Sequence, residues 1–86
     1  MALMKDWYVY IVKCSDGSLY TGITVDRVRR VIEHNESKKG AKYTRTRRPV
    51  VLVYSETLKD RSSASKREIA IKKLNRIDKL KLISYE

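Results

Sequence analysis

The stretch Trp7-Tyr8-Val9-Tyr10-Ile11-Val12-Lys13-Cys14-Ser15-Asp16-Gly17-Ser18-Leu19-Tyr20-Thr21-Gly22-Ile23 decides the fold. Trp7 to Lys13 is rich in aromatic and β-branched residues, as is Leu19 to Ile23, and such side chains suit the pleated surface of a strand. Asp16-Gly17 lies between the two runs, a strong hairpin signal. A tight two-residue turn there would set Lys13 opposite Tyr20 and Tyr10 opposite Ile23. Tyr10 and Tyr20 would then stand on opposite faces of the sheet, because successive side chains alternate. If the two phenols share a site, the hairpin needs a three-residue loop, or a bulge that shifts the register by one.

Beyond the hairpin, Asp26 is placed to cap a helix running to about Asn35, with Val28, Val31 and Ile32 at helical spacing as its apolar stripe. Arg27, Arg30 and His34 then cluster on a different face, available to a ligand. Ser37 to Arg48 is basic, polar and interrupted by Gly40, which predicts a loop closed by Pro49. Val50 to Tyr54 is a continuous apolar run of strand length, expected beside the hairpin and buried on both faces. A further helix follows the possible caps at Asp60 to Ser63, with Ala64, Ile69, Ala70 and Leu74, or Ile71 on a broader face, toward the core. A short last helix spans about Arg76 to Ile83. The order ββαβαα implies an α+β fold with a three-stranded sheet, antiparallel at least in its hairpin, packed on helices.

At 86 residues the chain has room for one small domain. Its single cysteine, Cys14, forms no internal disulfide, which points to a reducing, cytoplasmic setting. The opening residues place Lys5, Asp6 and Lys13 around an apolar run too brief for a transmembrane helix and lacking a small-residue cleavage site, so a soluble, unprocessed protein is expected. The net charge of +10, from 20 basic and 10 acidic residues, makes nucleic acid the leading partner. No long amphipathic helix with an aromatic or leucine-rich face argues for a membrane surface.

One cysteine and one histidine exclude the usual zinc patterns, and neither a nucleophile elbow nor a Gly-rich phosphate loop is present. Tyrosines, basic groups and a glutamate remain. Tyr8, Tyr10 and Tyr20 equally suit a strand surface, and Arg30 and His34, spaced i and i+4, equally suit a solvated helix face. Glu68 fits a capping box begun by Ser65. It also fits a metal site if the helix begins earlier, because Mg²⁺ needs few protein carboxylates when phosphate and water complete its shell. The loop offers Lys38, Lys39, Lys42, Arg45, Arg47 and Arg48 to phosphates and Tyr43 to an exposed base.

Taken together, Tyr8-Val9-Tyr10-Ile11, Tyr20-Thr21-Gly22, Arg30 and His34 resemble the GIY-YIG nuclease family. Gly40 to Arg45, the run Pro49 to Tyr54, and Glu68 within Lys66 to Leu74 resemble its small, single-domain bacterial branch, so the likeness covers the chain from about Trp7 to Ile83. The resemblance implies a three-stranded antiparallel sheet flanked by helices and hydrolysis of phosphodiester bonds with one divalent ion, Mg²⁺ or Mn²⁺. It maps the catalytic positions onto Tyr10, Tyr20, Arg30 and His34 and the metal position onto Glu68, with Arg27 and the basic loop as nucleic-acid contacts. The chain departs from the family name at Tyr8 and Thr21, and Ile23 stands where some repair nucleases carry a basic residue. Asn75 comes sooner after Glu68 than the late asparagine of larger members and receives no role.

On this reading Tyr10 takes a proton from the attacking water, Tyr20 and His34 orient that water, and Arg30 and the metal lower the Tyr10 pKa from its ordinary value near 10. The expected function is a metal-dependent endonuclease acting on DNA rather than RNA, in repair or recombination, with specificity from nucleic-acid shape or a protein partner. A non-catalytic binding module of the same fold and a small basic RNA- or ribosome-associated protein are the alternatives.

Overall fold

A computed structural model describes residues 6–84. Residues 1–5, on which part of the reading of the N-terminus rests, lie outside the described residues. Strands β1 (Trp7–Lys13) and β2 (Leu19–Thr24) form the hairpin, and helix α1 (Arg27–Glu36) follows. A one-turn helix α2 (Lys42–Arg45), strand β3 (Val51–Leu58) and helices α3 (Arg61–Lys72) and α4 (Arg76–Ser84) complete the order. The sheet runs β2-β1-β3 with both pairings antiparallel, so β1 is central. Among the described residues no helix is long and apolar enough to cross a membrane.

The hairpin has the shifted register that a shared site for Tyr10 and Tyr20 demands. Cys14 N–H donates to Ser18 O at 2.8 Å and Gly17 N–H to Cys14 O at 2.9 Å, leaving Ser15-Asp16-Gly17 as a three-residue loop. Gly17 has φ +85°, a left-handed conformation that glycine enters without steric cost. The Asp16 carboxylate steadies the loop by accepting from the Ser18 N–H at 3.0 Å and hydroxyl at 2.6 Å. Tyr10 consequently pairs with Gly22 and Val12 with Tyr20, which puts both tyrosines on one face.

Two small cores cover the two faces of the sheet. Val9 and Ile11 pack with Tyr54, Ala64 and Ile71, joining β1 and β3 to α3, with Leu82 and Ile83 of α4 alongside. Tyr10, Val12, Cys14 and Val50 form the other cluster, against which Tyr20 and Val31 of α1 pack. Asp60 starts α3, its Oδ1 accepting from Ser63 N–H at 2.7 Å. The helix therefore begins at Arg61, and Glu68 is released from the capping role that a start at Ser65 would give it.

Three expectations about burial are corrected. On α1, correctly capped by Asp26, the apolar stripe meets the core only at Val31: Val28 is 73% and Ile32 50% exposed, and the buried residue is His34. The polar edge turns inward because His34 finds hydrogen-bond partners there, and burial of a satisfied polar group carries little penalty. On α3, Ala64 and Ile71 are buried while Ile69 and Ala70 face outward. The run entering β3 is not buried on both faces: β3 is an edge strand, and Val51 is 57% exposed. The basic segment is a loop interrupted by α2, in which the Thr44 N–H and hydroxyl both donate to Ala41 O.

Candidate active site

The candidate site forms where β1 and β2 meet α1, and its geometry starts at Gly22. A Cβ on Gly22 would lie 2.6 Å from the Tyr10 hydroxyl oxygen and 2.8 Å from its Cζ. The Tyr10 ring therefore crosses the backbone of its partner strand where only glycine leaves room. Beyond it the Tyr10 hydroxyl meets His34 Nε2 at 2.6 Å, and both side chains are almost wholly buried.

The hydrogen-bond network assigns the histidine tautomer. Thr44 has one hydroxyl proton, which goes to Ala41 O at 2.9 Å. Its oxygen then accepts from His34 Nδ1–H at 2.9 Å, so Nε2 is the acceptor and Tyr10 O–H the donor. The approach of Ala41 N–H to Nδ1, at 3.4 Å, would favour the opposite tautomer but is the longest of these contacts. Burial, reinforced by Arg30, lowers the His34 pKa to about 4, so the imidazole is neutral at pH 7.

Burial has the opposite effect on Tyr10, an acid whose charged form is the deprotonated one. Its pKa rises to about 12, because burial outweighs the opposing influence of the adjacent Arg30 guanidinium. Arg30 acts in the direction expected of it, and in the metal-free protein burial outweighs it. Arg30 is held by its neighbours, Nη1 donating to Glu33 Oε1 at 2.9 Å and to Lys39 O at 2.8 Å.

Tyr20 joins the cluster edge-on to His34, with ring centroids 5.3 Å apart, and its other neighbour Tyr43 stacks on it at 6.0 Å. The Arg47 guanidinium lies 3.9 Å from the Tyr43 ring centroid and is tied to Asp16 of the hairpin loop at 3.1 Å. A continuous series of side chains thus runs from the hairpin tip to Tyr10. Tyr43 is 39% exposed, but its ring already contacts Arg47 and Tyr20.

From α3, Glu68 exerts a minor charge effect that raises the Tyr10 pKa. Its carboxylate is largely covered and pairs with Lys72 Nζ at 3.1 Å. Among the described residues no group of three or more His, Cys, Asp or Glu side chains gathers to hold a metal by itself. A single carboxylate suits a hard cation that takes its remaining oxygens from phosphate and water, so the donor set fits Mg²⁺ or Mn²⁺ in that form. Asn75 is accounted for elsewhere: its Oδ1 accepts from Asp78 N–H at 2.8 Å and caps α4.

The basic residues divide into two groups. Arg27 donates to Ser55 Oγ at 2.8 Å and lies over the Tyr8 ring, while Arg45 donates to Lys38 O at 2.8 Å. Arg48 closes the end of α1 by donating to His34 O at 2.6 Å and Ser37 O at 2.7 Å. Lys38, Lys39 and Lys42 are exposed. Thr44 is the site residue that sequence reasoning missed. Its nearest signal is its place within Lys42-Tyr43-Thr44-Arg45, where a threonine among charged residues reads as loop polarity.

Residues 6–81 match the GIY-YIG catalytic domain. The chain is 64% identical over 77 residues to a UPF0213 protein of Desulfotalea psychrophila, covering 90% of this chain and 70% of that protein. It is 57% identical over 81 residues to a UPF0213 protein of Staphylococcus saprophyticus, covering 94% and 98%. The solution NMR structure of a UPF0213 protein from Bacillus halodurans is 44% identical, with a TM-score of 0.61, over 94% of this chain and 85% of that one. A match across so much of the domain, with relatives this similar over nearly the whole chain, means that the chain belongs to the GIY-YIG catalytic-domain family.

Proposed function

We propose that this protein is a divalent-metal-dependent endonuclease that hydrolyses phosphodiester bonds in DNA, in a repair or recombination setting within the cytoplasm. The observation that carries the reading is the buried 2.6 Å hydrogen bond from the Tyr10 hydroxyl to His34 Nε2, in a cluster that also holds Arg30 and is influenced by Glu68. A tyrosine placed only to fill a strand surface does not require a glycine beneath it and a tautomer-fixed histidine at its tip.

Tyr10 is a poor base alone, with a pKa raised to about 12. His34 supplies an acceptor: as water attacks phosphorus, its proton passes to the Tyr10 oxygen while the Tyr10 proton passes to His34 Nε2. Arg30 contributes a permanently charged donor to a bound phosphate, and Tyr20 holds the imidazole plane by its edge contact. The phosphate charge entering beside Arg30 favours the imidazolium that burial and Arg30 oppose in the free protein. Glu68 would hold a divalent ion, which would supply Lewis-acid stabilisation of the charge that develops in the reaction. Selection among DNA forms rests on shape or on a partner protein.

The test is cleavage of labelled duplex, single-stranded and branched DNA with Mg²⁺ or Mn²⁺, comparing the natural protein with Glu68→Ala. Cleavage by the natural protein alone is the expected result. Binding without cleavage by both, across all substrates and both metals, would replace this reading with a binding module.

A further inference from the structure

The cations able to grip a second stretch of nucleic acid lie on the helix that carries Glu68. In the basic loop, Arg45, Arg47 and Arg48 are engaged with backbone carbonyls or Asp16. On α3 and α4 the pattern differs. Lys66, Lys73 and Arg76 are exposed, and among the described residues none of them enters an ion pair or donates a side-chain hydrogen bond. The two acidic residues of these helices are Glu68, already paired with Lys72, and Asp78. Lys66 and Lys73 lie seven residues apart on the outward face, with Ile69, itself 54% exposed, between them. That spacing is about 10 Å along the helix axis, comparable to three base-pair steps of about 3.4 Å each.

Topology directs a substrate toward this face. The basic loop adjoins α1, on the Tyr10 face of the sheet, whereas α3 covers the face of Val9 and Ile11. Strand β2 is the edge between them, and Tyr10 leans across it at Gly22. A nucleic acid that places one phosphate between Arg30 and Glu68 therefore leaves the loop side and continues over α3.

We propose that the outward face of α3 and the start of α4, through Lys66, Lys73 and Arg76, is a second backbone-contact surface for duplex DNA, gripping the duplex beyond the scissile phosphate. The proposal rests on the nuclease reading of the site. Its partner follows from charge complementarity with a regularly spaced polyanion, and a contact of this kind positions without reading sequence.

Metal-free binding of fluorescein-labelled duplex, followed by anisotropy across a KCl series in EDTA, tests it. Lys66→Gln/Lys73→Gln is compared with Lys13→Gln/Lys59→Gln, which removes equal charge from exposed positions outside both basic surfaces. Circular dichroism establishes that both variants fold. The α3 variant is expected to lower the slope of log Kobs against log salt by about two and to weaken binding about tenfold at fixed salt. The control variant should keep the natural slope and bind within about threefold. Equal behaviour of the two variants, in a natural protein that binds and cleaves, overturns this inference alone. A natural protein that binds no duplex also overturns this inference, while the nuclease reading stands or falls by the cleavage test on all three DNA forms.

Discussion

Replacing Gly22 by alanine adds one methyl group and should disable the site more than it unfolds the protein. The new Cβ would stand 2.6 Å from the Tyr10 hydroxyl oxygen, 2.8 Å from Cζ and 3.0 Å from Cε1, where contact below 3.4 Å already forces the neighbour to give. Relief requires a shift of about 0.8 Å, the gap between 2.6 and 3.4 Å. Tyr10 is not a flexible end that can swing away, being 1% exposed and hydrogen-bonded to His34. Overpacking of this kind costs about 1–3 kcal/mol, and alanine returns about 0.4–1 kcal/mol by restricting the unfolded chain. The net loss should be about 1–2 kcal/mol in urea unfolding, with the m-value unchanged. Cleavage should fall about 100-fold, because a displacement near 1 Å at a reacting group has that scale of effect. The paired measurements are urea denaturation by circular dichroism and single-turnover cleavage with metal in excess. An alanine variant with natural stability and natural cleavage would show that Tyr10 does not depend on this close approach.

Tyr10→Phe should reduce cleavage by about 100-fold or more, as expected on removing a general acid–base group, while metal-free DNA binding by anisotropy stays within about twofold. Lowering the pH should destabilise the fold between about pH 6.5 and 4: His34 titrates near 4 when folded and 6.5 when unfolded, so the unfolded chain binds the extra proton in that window. The loss by pH 4 is about 2–3 kcal/mol at 1.36 kcal/mol per pKa unit, read by urea titrations at each pH, and a His34→Gln variant should show a shallower dependence. Glu56→Ala should cost about 1–3 kcal/mol in urea unfolding, because Glu56 accepts a bidentate pair of bonds from Arg67, at 2.9 Å from both Nε and Nη2, and a further bond from the buried Tyr54 hydroxyl. Asp60→Ala should cost about 1 kcal/mol through loss of the α3 cap, measured in the same way.

The features legible from sequence are those set by local chemistry. Asp16-Gly17 between β-rich runs gives the hairpin, and Asp26 and Asp60 cap helices by a bond that their own side chains make. The register was also accessible, because two tyrosines sharing a face exclude a two-residue turn. Helix faces were harder to read, and α1 shows why. Val28, Val31 and Ile32 outweigh His34 in any hydrophobic pattern, yet His34 is the buried residue because Tyr10 and Thr44 satisfy both ring nitrogens. One partner is 24 residues away and the other 10, so helical periodicity carries no trace of either. The same limit applies to the arginines. Arg48 looks like any member of a basic run, but it donates to His34 O and Ser37 O and so braces the helix that presents the site. A charge count predicts attraction to a polyanion; which cations meet it depends on which ones the fold has already engaged. By that criterion the exposed lysines Lys38 and Lys39 in the basic loop, Lys66 on α3 and Lys73 at its C-cap are better placed than the engaged arginines to set the salt dependence of the nucleic-acid binding proposed above.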